Sequence, residues 1–277
     1  MRIRKVIRTK PVDPVSVRID NAFYDDLGDI WWDRQGQMSG LHGMTPVRLA
    51  YFDRTFTRTL GKEIRPSGRF IDVGCGGGIL TEALAALGYP INGLDISGGA
   101  LQAARRHAAR SGVKVGYGRG TAYHLGIKTG ILDGVVASDL FEHLHDFPRA
   151  VSEMARVLKT GGVLAFDTVN RTWLSWLGGI WLVQKRLRLM PLHTHAWKMF
   201  ITPGELKAVF SNSGLEVREI QGLSPVAHFL VLPYRLWRYR KFGPYRLSSD
   251  LRISYIGYAV KVRPTPATVF SCRETKE

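Results

Sequence analysis

Short apolar runs alternate with helix-forming segments through most of the chain. The runs are typical of buried parallel strands, and the segments between them carry apolar residues at helical spacing. Seven strands are predicted in this way, at 70–73, 90–95, 113–117, 134–138, 163–169, 215–220 and 253–260. Strands that alternate with helices favour an α/β fold, in which helices cover both faces of a mostly parallel sheet.

The same patterns divide the rest of the chain. Residues 21–61 carry apolar residues at helical spacing and predict a helical cap ahead of the first strand. We expect a basic, flexible arm at 1–20, a main domain at 21–262 and a loose tail at 263–277.

The first strand runs into a turn that is rich in glycine, with the sequence DVGCGGG at 72–78. Glycines let a ligand lie against the main chain, and the N-terminus of the following helix offers partial positive charge. A P-loop would end in Gly-Lys-Ser/Thr, where this chain has Gly78-Ile79-Leu80, and the GxGxxG spacing of dinucleotide sites is also missing. Asp95 ends the second strand about twenty residues later, where it can accept from ribose hydroxyls. The alternative is an ordinary tight turn with a surface aspartate.

The glycine turn and the GLD sequence that ends the second strand resemble the cofactor motifs of class I S-adenosylmethionine-dependent methyltransferases. The resemblance implies S-adenosylmethionine as the cofactor. It also implies a Rossmann-like sheet of seven mostly parallel strands whose last strand is antiparallel.

The fourth strand ends in a stretch of acids and histidines, DLFEHLHD at 139–146. Ligands collect at the carboxyl ends of parallel strands. Carboxylates and imidazoles at this edge can supply a general base or ligands for a hard cation. The alternative is a helix start in which Asp139 and Glu142 favour the helix dipole.

Charge indicates the kind of partner, and cysteine content indicates the redox compartment. The net charge of +16 and the isoelectric point of about 10.1 favour an anionic partner, either nucleic acid or an acidic membrane. Two cysteines, Cys75 and Cys272, give no sign of a disulfide framework or a zinc cage, which favours a reducing compartment. The basic N-terminus lacks the apolar core of a secretory signal, and no apolar run is long enough to span a bilayer. We expect a cytoplasmic protein, with peripheral contact to the inner face of the membrane as an option.

Three segments resemble the UbiG family, the O-methyltransferases of ubiquinone biosynthesis: WWD at 31–33, LHGMTPVRL at 41–49 and DLFEHL at 139–144. The resemblance implies that Arg48 reaches the methionine carboxylate of the cofactor. It also implies a divalent metal such as Mg²⁺, held by Asp139, Glu142 and His143. The family has Glu where this chain has Asp139, so the metal stays an open question. His143 and Glu142 are the candidates for the catalytic base.

The predicted cofactor-binding residues come from four strand ends and from the cap. They are Arg48, Asp72, Gly74, Gly76, Gly78, Asp95, Ile96, Thr121 and Ser138.

The segment at 173–199, called the insertion below, combines tryptophans with basic residues, which favours an interfacial helix on anionic lipid. Its marked residues are Trp173, Trp176, Trp181, Lys185, Arg186 and Arg188. A lid with an apolar underside is the alternative. The basic, aromatic segment at 225–250 suits a headgroup layer or a solvated flap equally well.

The expected function is S-adenosylmethionine-dependent O-methylation of a phenolic or catechol ring. The expected acceptor is a lipophilic, membrane-associated quinone precursor. A small-molecule methyltransferase of specialised metabolism is one alternative. An RNA methyltransferase is the other; the charge favours it, but no nucleic-acid motif is present in the sequence.

Overall fold

The computed structural model describes residues 22–186, 195–226, 234, 238 and 244–262. These residues form one eight-stranded sheet with helices on both faces. The strands are β1 Phe70–Val73, β2 Ile91–Asp95, β3 Tyr117–Arg119, β4 Leu132–Ser138, β5 Leu158–Val169, β6 Leu215–Pro225, β7 Tyr245–Ser248 and β8 Ser254–Lys261.

The α-helices of the described residues connect these strands and precede the first of them. They are α1 Ala22–Asp26, α2 Ser39–Leu60, α3 Ile64–Ser67, α4 Ile79–Ala86, α5 Gly98–Ser111, α6 Phe147–Val157, α7 Trp173–Ser175 and α8 Pro203–Asn212. Short 3₁₀ segments lie at Gly28–Trp32, Phe141–His143 and Trp197–Met199, and a π-helix lies at Trp176–Arg186. None of the helices in the described part of the chain is both long and apolar enough to cross a membrane.

The order of the strands creates a crevice beside β1. The sheet runs β3-β2-β1-β4-β5-β8-β6-β7, and the first five strands are parallel. The chain fills the β2 and β3 side of β1 first and then returns to place β4 on the other side. Ligands of open α/β sheets bind at such a switch point, outside the carboxyl ends of the strands. The predicted α/β, Rossmann-like class is therefore confirmed.

The predicted number of strands was wrong by one. β8 is antiparallel to both β5 and β6, as expected for the last strand, but β7 adds an eighth strand at the edge of the sheet. It pairs antiparallel with the end of β6, from Gly222 opposite Ser248 to Pro225 opposite Tyr245. β7 has only four residues and follows a basic segment, so its own pattern carries no strand signal. Its pairing with the long β6 makes it a strand.

Apolar clusters cover both faces of the sheet because successive residues of a strand point to opposite sides. Val135 and Ala137 of β4 join the cluster around Phe141, while Val136 between them joins the cluster around Phe52. A third cluster fixes the N-terminal cap to α4 and α5. Its buried residues are Leu27, Trp31, Met38, Ile79, Ala100 and Ala103.

Side chains cap helices α5 and α8. The Ser97 hydroxyl accepts from Ala100 N–H at 3.0 Å at the start of α5, and Thr202 and Glu205 form a capping box at α8. The predicted arm at 1–20, the tail at 263–277, Arg188 and most of the segment at 225–250 lie outside the described residues.

Candidate active site

A cleft of about 650 Å³ opens at the switch point between β1 and β4. One end of it, called the glycine end below, is formed by residues 72–76 together with the end of β2. Most of the remaining lining, called the acceptor end, comes from the cap, the segment after β4, the insertion with its flanking residues, and the starts of β7 and β8. Volumes of this order are typical of sites that enclose a small molecule.

The glycine end is held in place by Asp95. Gly76 has a φ of 52°, in the left-handed region that favours glycine, and a Cβ there would lie 2.6 Å from the Trp31 ring. Gly76 N–H donates to Asp95 Oδ2 at 2.8 Å, and Ser97 N–H donates to Asp95 Oδ1 at 2.8 Å. Burial raises the pKa of Asp95, although these two N–H groups act to lower it. Gly74, Gly76 and Asp95 all line the cleft.

Asp72 lies beneath the turn and also lines the cleft. It is 2% exposed and accepts a hydrogen bond from Thr81 Oγ1 at 2.6 Å, which joins β1 to α4. Burial raises its pKa to about 7, against the lowering effect of the Thr81 hydroxyl. Gly78 starts α4 with a φ of 84° and is not among the residues that line the cleft.

Arg48 of α2 enters the cleft between two acids. Its Nη2 donates to Asp139 Oδ2 and to Asp167 Oδ2, each at 2.5 Å. Burial alone would lower the pKa of Arg48, but the two carboxylates outweigh that and raise it. Ser138, at the end of β4, donates to Asp167 Oδ1 at 2.6 Å. Arg48 Nε is buried and has no hydrogen-bond partner among the described residues, so this side chain keeps a donor for a further anion.

Asp139 holds a strained conformation at the junction after β4. Its φ of 47° lies in the left-handed region, which no other non-glycine residue of the described ranges adopts. Such strain persists only where the surroundings impose it and is concentrated at functional sites. The bond to Arg48 keeps the Asp139 carboxylate, which is 25% exposed, on the wall of the cleft.

The three predicted metal ligands do not converge. Asp139 turns to Arg48, whereas Glu142 is fully buried and its Oε2 accepts from Thr168 Oγ1 at 2.8 Å. Burial raises the pKa of Glu142 to about 8, and the residue does not line the cleft. Among the described residues, no three His, Cys, Asp or Glu side chains are placed to hold a metal ion. These residues therefore do not fit the metal that the family resemblance implied, and we derive no step through a metal.

His143 does line the cleft. Its Nδ1 is buried without a hydrogen-bond partner in the described part of the protein. Burial and, to a smaller extent, the neighbouring His195 lower its pKa to about 3, so the imidazole is neutral at physiological pH.

The two remaining predicted cofactor residues differ in position. Ile96 lines the cleft and is 60% exposed, at the mouth next to Asp95. Thr121 does not line the cleft; it pairs with His124 in an isolated bridge, and its hydroxyl accepts from Tyr123 N–H at 3.3 Å.

The acceptor end contains side chains that the sequence did not single out. His195 lies 5.0 Å from His143 between ring centroids, and Tyr24 meets the His143 ring edge-on at 5.9 Å. Gln184 Nε2 lies 3.2 Å from His195 Nδ1. These contacts join residues far apart in the sequence, so no local pattern marks them.

The described part of the insertion has two faces. Ser175, Ile180 and Gln184 are buried, whereas Trp176 and Trp181 are exposed. The exposed rings recur at a spacing of five residues, which suits the wide turn of the π-helix at Trp176–Arg186. The inward face thus places Gln184 against His195, which lines the cleft, and the outward face presents tryptophans to the surroundings.

Comparison with known proteins gives three findings. The methyltransferase domain family matches residues 71–166. The chain is 34% identical to the ubiquinone biosynthesis O-methyltransferase of Nitrosococcus oceani, over 90% of this chain and 96% of that protein, and 33% identical to that of Hahella chejuensis, over 91% and 97%. The fold resembles magnesium protoporphyrin IX methyltransferase from Synechocystis, solved with bound SAH, with a TM-score of 0.58 at 18% identity over 87% of this chain and 97% of that one.

Proposed function

The chain belongs to the family of the ubiquinone biosynthesis O-methyltransferases, and from that premise we propose its acceptor and its working place. It is an S-adenosylmethionine-dependent methyltransferase. We propose that it methylates a phenolic hydroxyl on a lipid-tailed quinone precursor, and that it meets this acceptor at an anionic membrane surface. The observation that carries the proposal is a cleft with a main-chain glycine end and a partly apolar acceptor end beneath the insertion.

The residues of the glycine end fit the cofactor. Asp95 keeps free lone pairs beyond its two N–H bonds and can accept from the ribose hydroxyls. The unpartnered Nε of Arg48 can donate to the methionine carboxylate. When bound, S-adenosylmethionine supplies the methyl group as an electrophile on its sulfonium sulfur.

The acceptor end suits an aromatic ring with an apolar tail. Met44, Leu144, Val169, Leu182 and Phe200 line it and exclude water from the reacting atoms. Because Leu182 belongs to the insertion, a tail that leaves this end passes under the tryptophan-bearing helix. The protein positions the hydroxyl against the methyl group, and orientation of this kind supplies much of the rate in bimolecular transfers.

The outward face of the insertion supports the membrane part of the proposal. Trp173 is 71% exposed, and Trp176, Trp181 and Trp197 are also exposed, with Arg186 beside them. Tryptophan and arginine together are typical of the headgroup layer of a bilayer. The net charge of +16 would add attraction to anionic lipid.

The experiment that tests the proposal pairs two acceptors that share one dihydroxylated ring. One carries a long prenyl tail and is presented in vesicles containing anionic lipid, and the other has no tail. We expect O-methyl products from both, detected by mass spectrometry, with the higher kcat/KM for the tailed acceptor. Transfer to nitrogen or carbon, or to RNA alone, would refute the phenolic acceptor. A higher kcat/KM for the ring without a tail would refute the membrane part.

A further inference from the structure

His195 reaches the cleft from the far end of the insertion. Its ring lines the acceptor end, packs edge-on to Phe200 at 6.2 Å and lies 5.0 Å from the ring of His143. The family resemblance assigned no role to this residue. Because it belongs to the cleft lining, it can contact a bound acceptor.

Gln184 determines which ring nitrogen of His195 can meet a ligand. The Gln184 side chain is 2% exposed, and its amide Nε2 lies 3.2 Å from His195 Nδ1. An amide nitrogen donates and cannot accept, so Nδ1 is the accepting nitrogen and the hydrogen of the neutral ring is on Nε2. Nε2 lies on the opposite side of the ring from the Gln184 contact. His195 therefore offers an N–H donor to the acceptor end.

Burial keeps both imidazoles of the pair uncharged. It lowers the pKa of His195 to about 4, while Asp139 acts to raise it. A neutral ring keeps the tautomer that Gln184 selects, whereas a charged ring would donate from both nitrogens. His143, on the other side, has Nδ1 buried without a partner among the described residues.

We propose that His195 is an acceptor-binding residue whose Nε2–H donates a hydrogen bond to the acceptor oxygen, and that Gln184 is the positioning residue that holds it in this tautomer. The inference deepens the proposed function and rests on it. The phenolic proton passes to the neutral ring of His143, which lines the cleft beside His195. One lone pair of the oxygen is then engaged by His195, and another forms the bond to the methyl carbon as the methyl–sulfur bond of the cofactor breaks. The insertion thus contributes to the chemistry through its inward face, apart from any contact of its outward face.

Steady-state kinetics on the ring without a tail tests the donor. We expect His195→Leu to lower kcat/KM for the acceptor by roughly ten- to hundredfold, the scale of one hydrogen bond to a charged or partly charged oxygen. His195→Gln places an amide N–H near the position of Nε2 and should recover most of that loss. The KM for S-adenosylmethionine should stay unchanged in both variants, and His124→Leu, at an exposed histidine outside the cleft lining, serves as the control.

The positioning role is tested by Gln184→Glu. A carboxylate can only accept, so it moves the hydrogen of His195 to Nδ1 and removes the donor at Nε2. In ¹⁵N-histidine-labelled protein, the nitrogen that bears the hydrogen should change for His195, and kcat/KM for the acceptor should fall about as far as in His195→Leu. Gln102→Glu, an exposed glutamine of α5, controls for added charge.

The outcomes distinguish a failure of the proposed function from a failure of the roles given to His195 and Gln184. If the wild-type protein methylates no phenol, the proposed function fails. If it does, but His195→Leu keeps the acceptor kcat/KM of the wild type, or His195→Gln is as impaired as His195→Leu, the donor role of His195 is overturned. If the tautomer is the same in wild type and Gln184→Glu, the role of Gln184 is overturned.

Discussion

The two ends of the cleft are built by different means. The glycine end consists of main chain and two aspartates within residues 72–95; two N–H groups hold Asp95, and the Thr81 hydroxyl holds Asp72. The acceptor end consists of side chains from the cap, the insertion and the last strands, which meet only in the folded protein. The part of the cleft that offers main chain to a ligand is specified by one short stretch of sequence. The acceptor end forms only when segments distant in the sequence pack together. The first is suited to an invariant cofactor and the second to a variable acceptor.

Arg48 lies in the cleft between two carboxylates, and its replacement should have the largest effect on stability. Arg48→Leu leaves Asp139 and Asp167 without their countercharge, so the free energy of unfolding should fall by about 3–5 kcal/mol. Arg54→Leu is the matched control, because Arg54 pairs with Glu219 at 3.5 Å on the surface and should cost less than about 1 kcal/mol. Urea denaturation measures both variants. Similar losses of unfolding free energy in the two variants would show that the buried ion pairs of Arg48 stabilise the protein no more than a surface ion pair does.

Asp95→Ala should impair the glycine end alone. It removes a charged acceptor, so the affinity for S-adenosylmethionine should weaken by about 1.5–3 kcal/mol in calorimetry. The KM for an acceptor without a tail, measured at saturating cofactor, should change little. Asp29 of the cap is exposed and pairs with Arg106 of α5, so Asp29→Ala is the control. An unchanged cofactor affinity would show that the glycine end is not the cofactor site.

Asp72 should make the free energy of unfolding depend on pH. Its folded pKa of about 7 exceeds the unfolded value of 3.8, so between these values the folded state holds a proton that the unfolded state has lost. Stability from this group therefore falls as the pH rises through that window. Asp72→Asn should make the decline shallower by up to about 1.4 kcal/mol per pH unit, followed by urea denaturation from acidic to neutral pH. An unaltered pH profile would place the carboxyl of Asp72 in an ordinary, ionised state.

The smallest effect on stability is expected at the outward face of the insertion. Replacing Trp176 and Trp181 by Ala should leave the unfolding free energy within about 0.5 kcal/mol of wild type, since exposed side chains away from specific contacts contribute little. It should weaken sedimentation with anionic vesicles and lower activity on a long-tailed acceptor more than on a water-soluble catechol. Ile180→Ala, on the inward face, should destabilise the protein instead. Equal losses on both acceptors would mean that the helix acts as a lid.

The sequence predicted the glycine end well because its signals are local. Gly76 and Asp95 occupy the positions expected from spacing alone, since a strand, a turn and a helix start each leave a short pattern. Asp139 and Glu142 were also predicted to lie together at the end of β4. Their side chains diverge because Arg48 and Thr168 bind them from opposite sides, and no local pattern reports those partners.

The acceptor end was predicted less completely for the same physical reason. His195 and Gln184 are eleven residues apart, and their contact depends on the path of the chain between them. β7 became a strand through pairing with β6, and it carries Tyr245 to the wall of the cleft. Thr121, which was predicted from its place after β3, does not line the cleft, and its hydroxyl is engaged in the local turn.

The wide turn of the helix at Trp176–Arg186 limits how this enzyme can diverge. Ile180 and Gln184 point inward only while the count of residues between them is kept, so the loss of a single codon there would rotate the remainder of the helix. Substitutions at Trp176 or Trp181 disturb no inward contact. We therefore expect natural variants of this segment to differ freely in the identity of their outward residues but to share its length, with insertions and deletions confined to positions outside the helix.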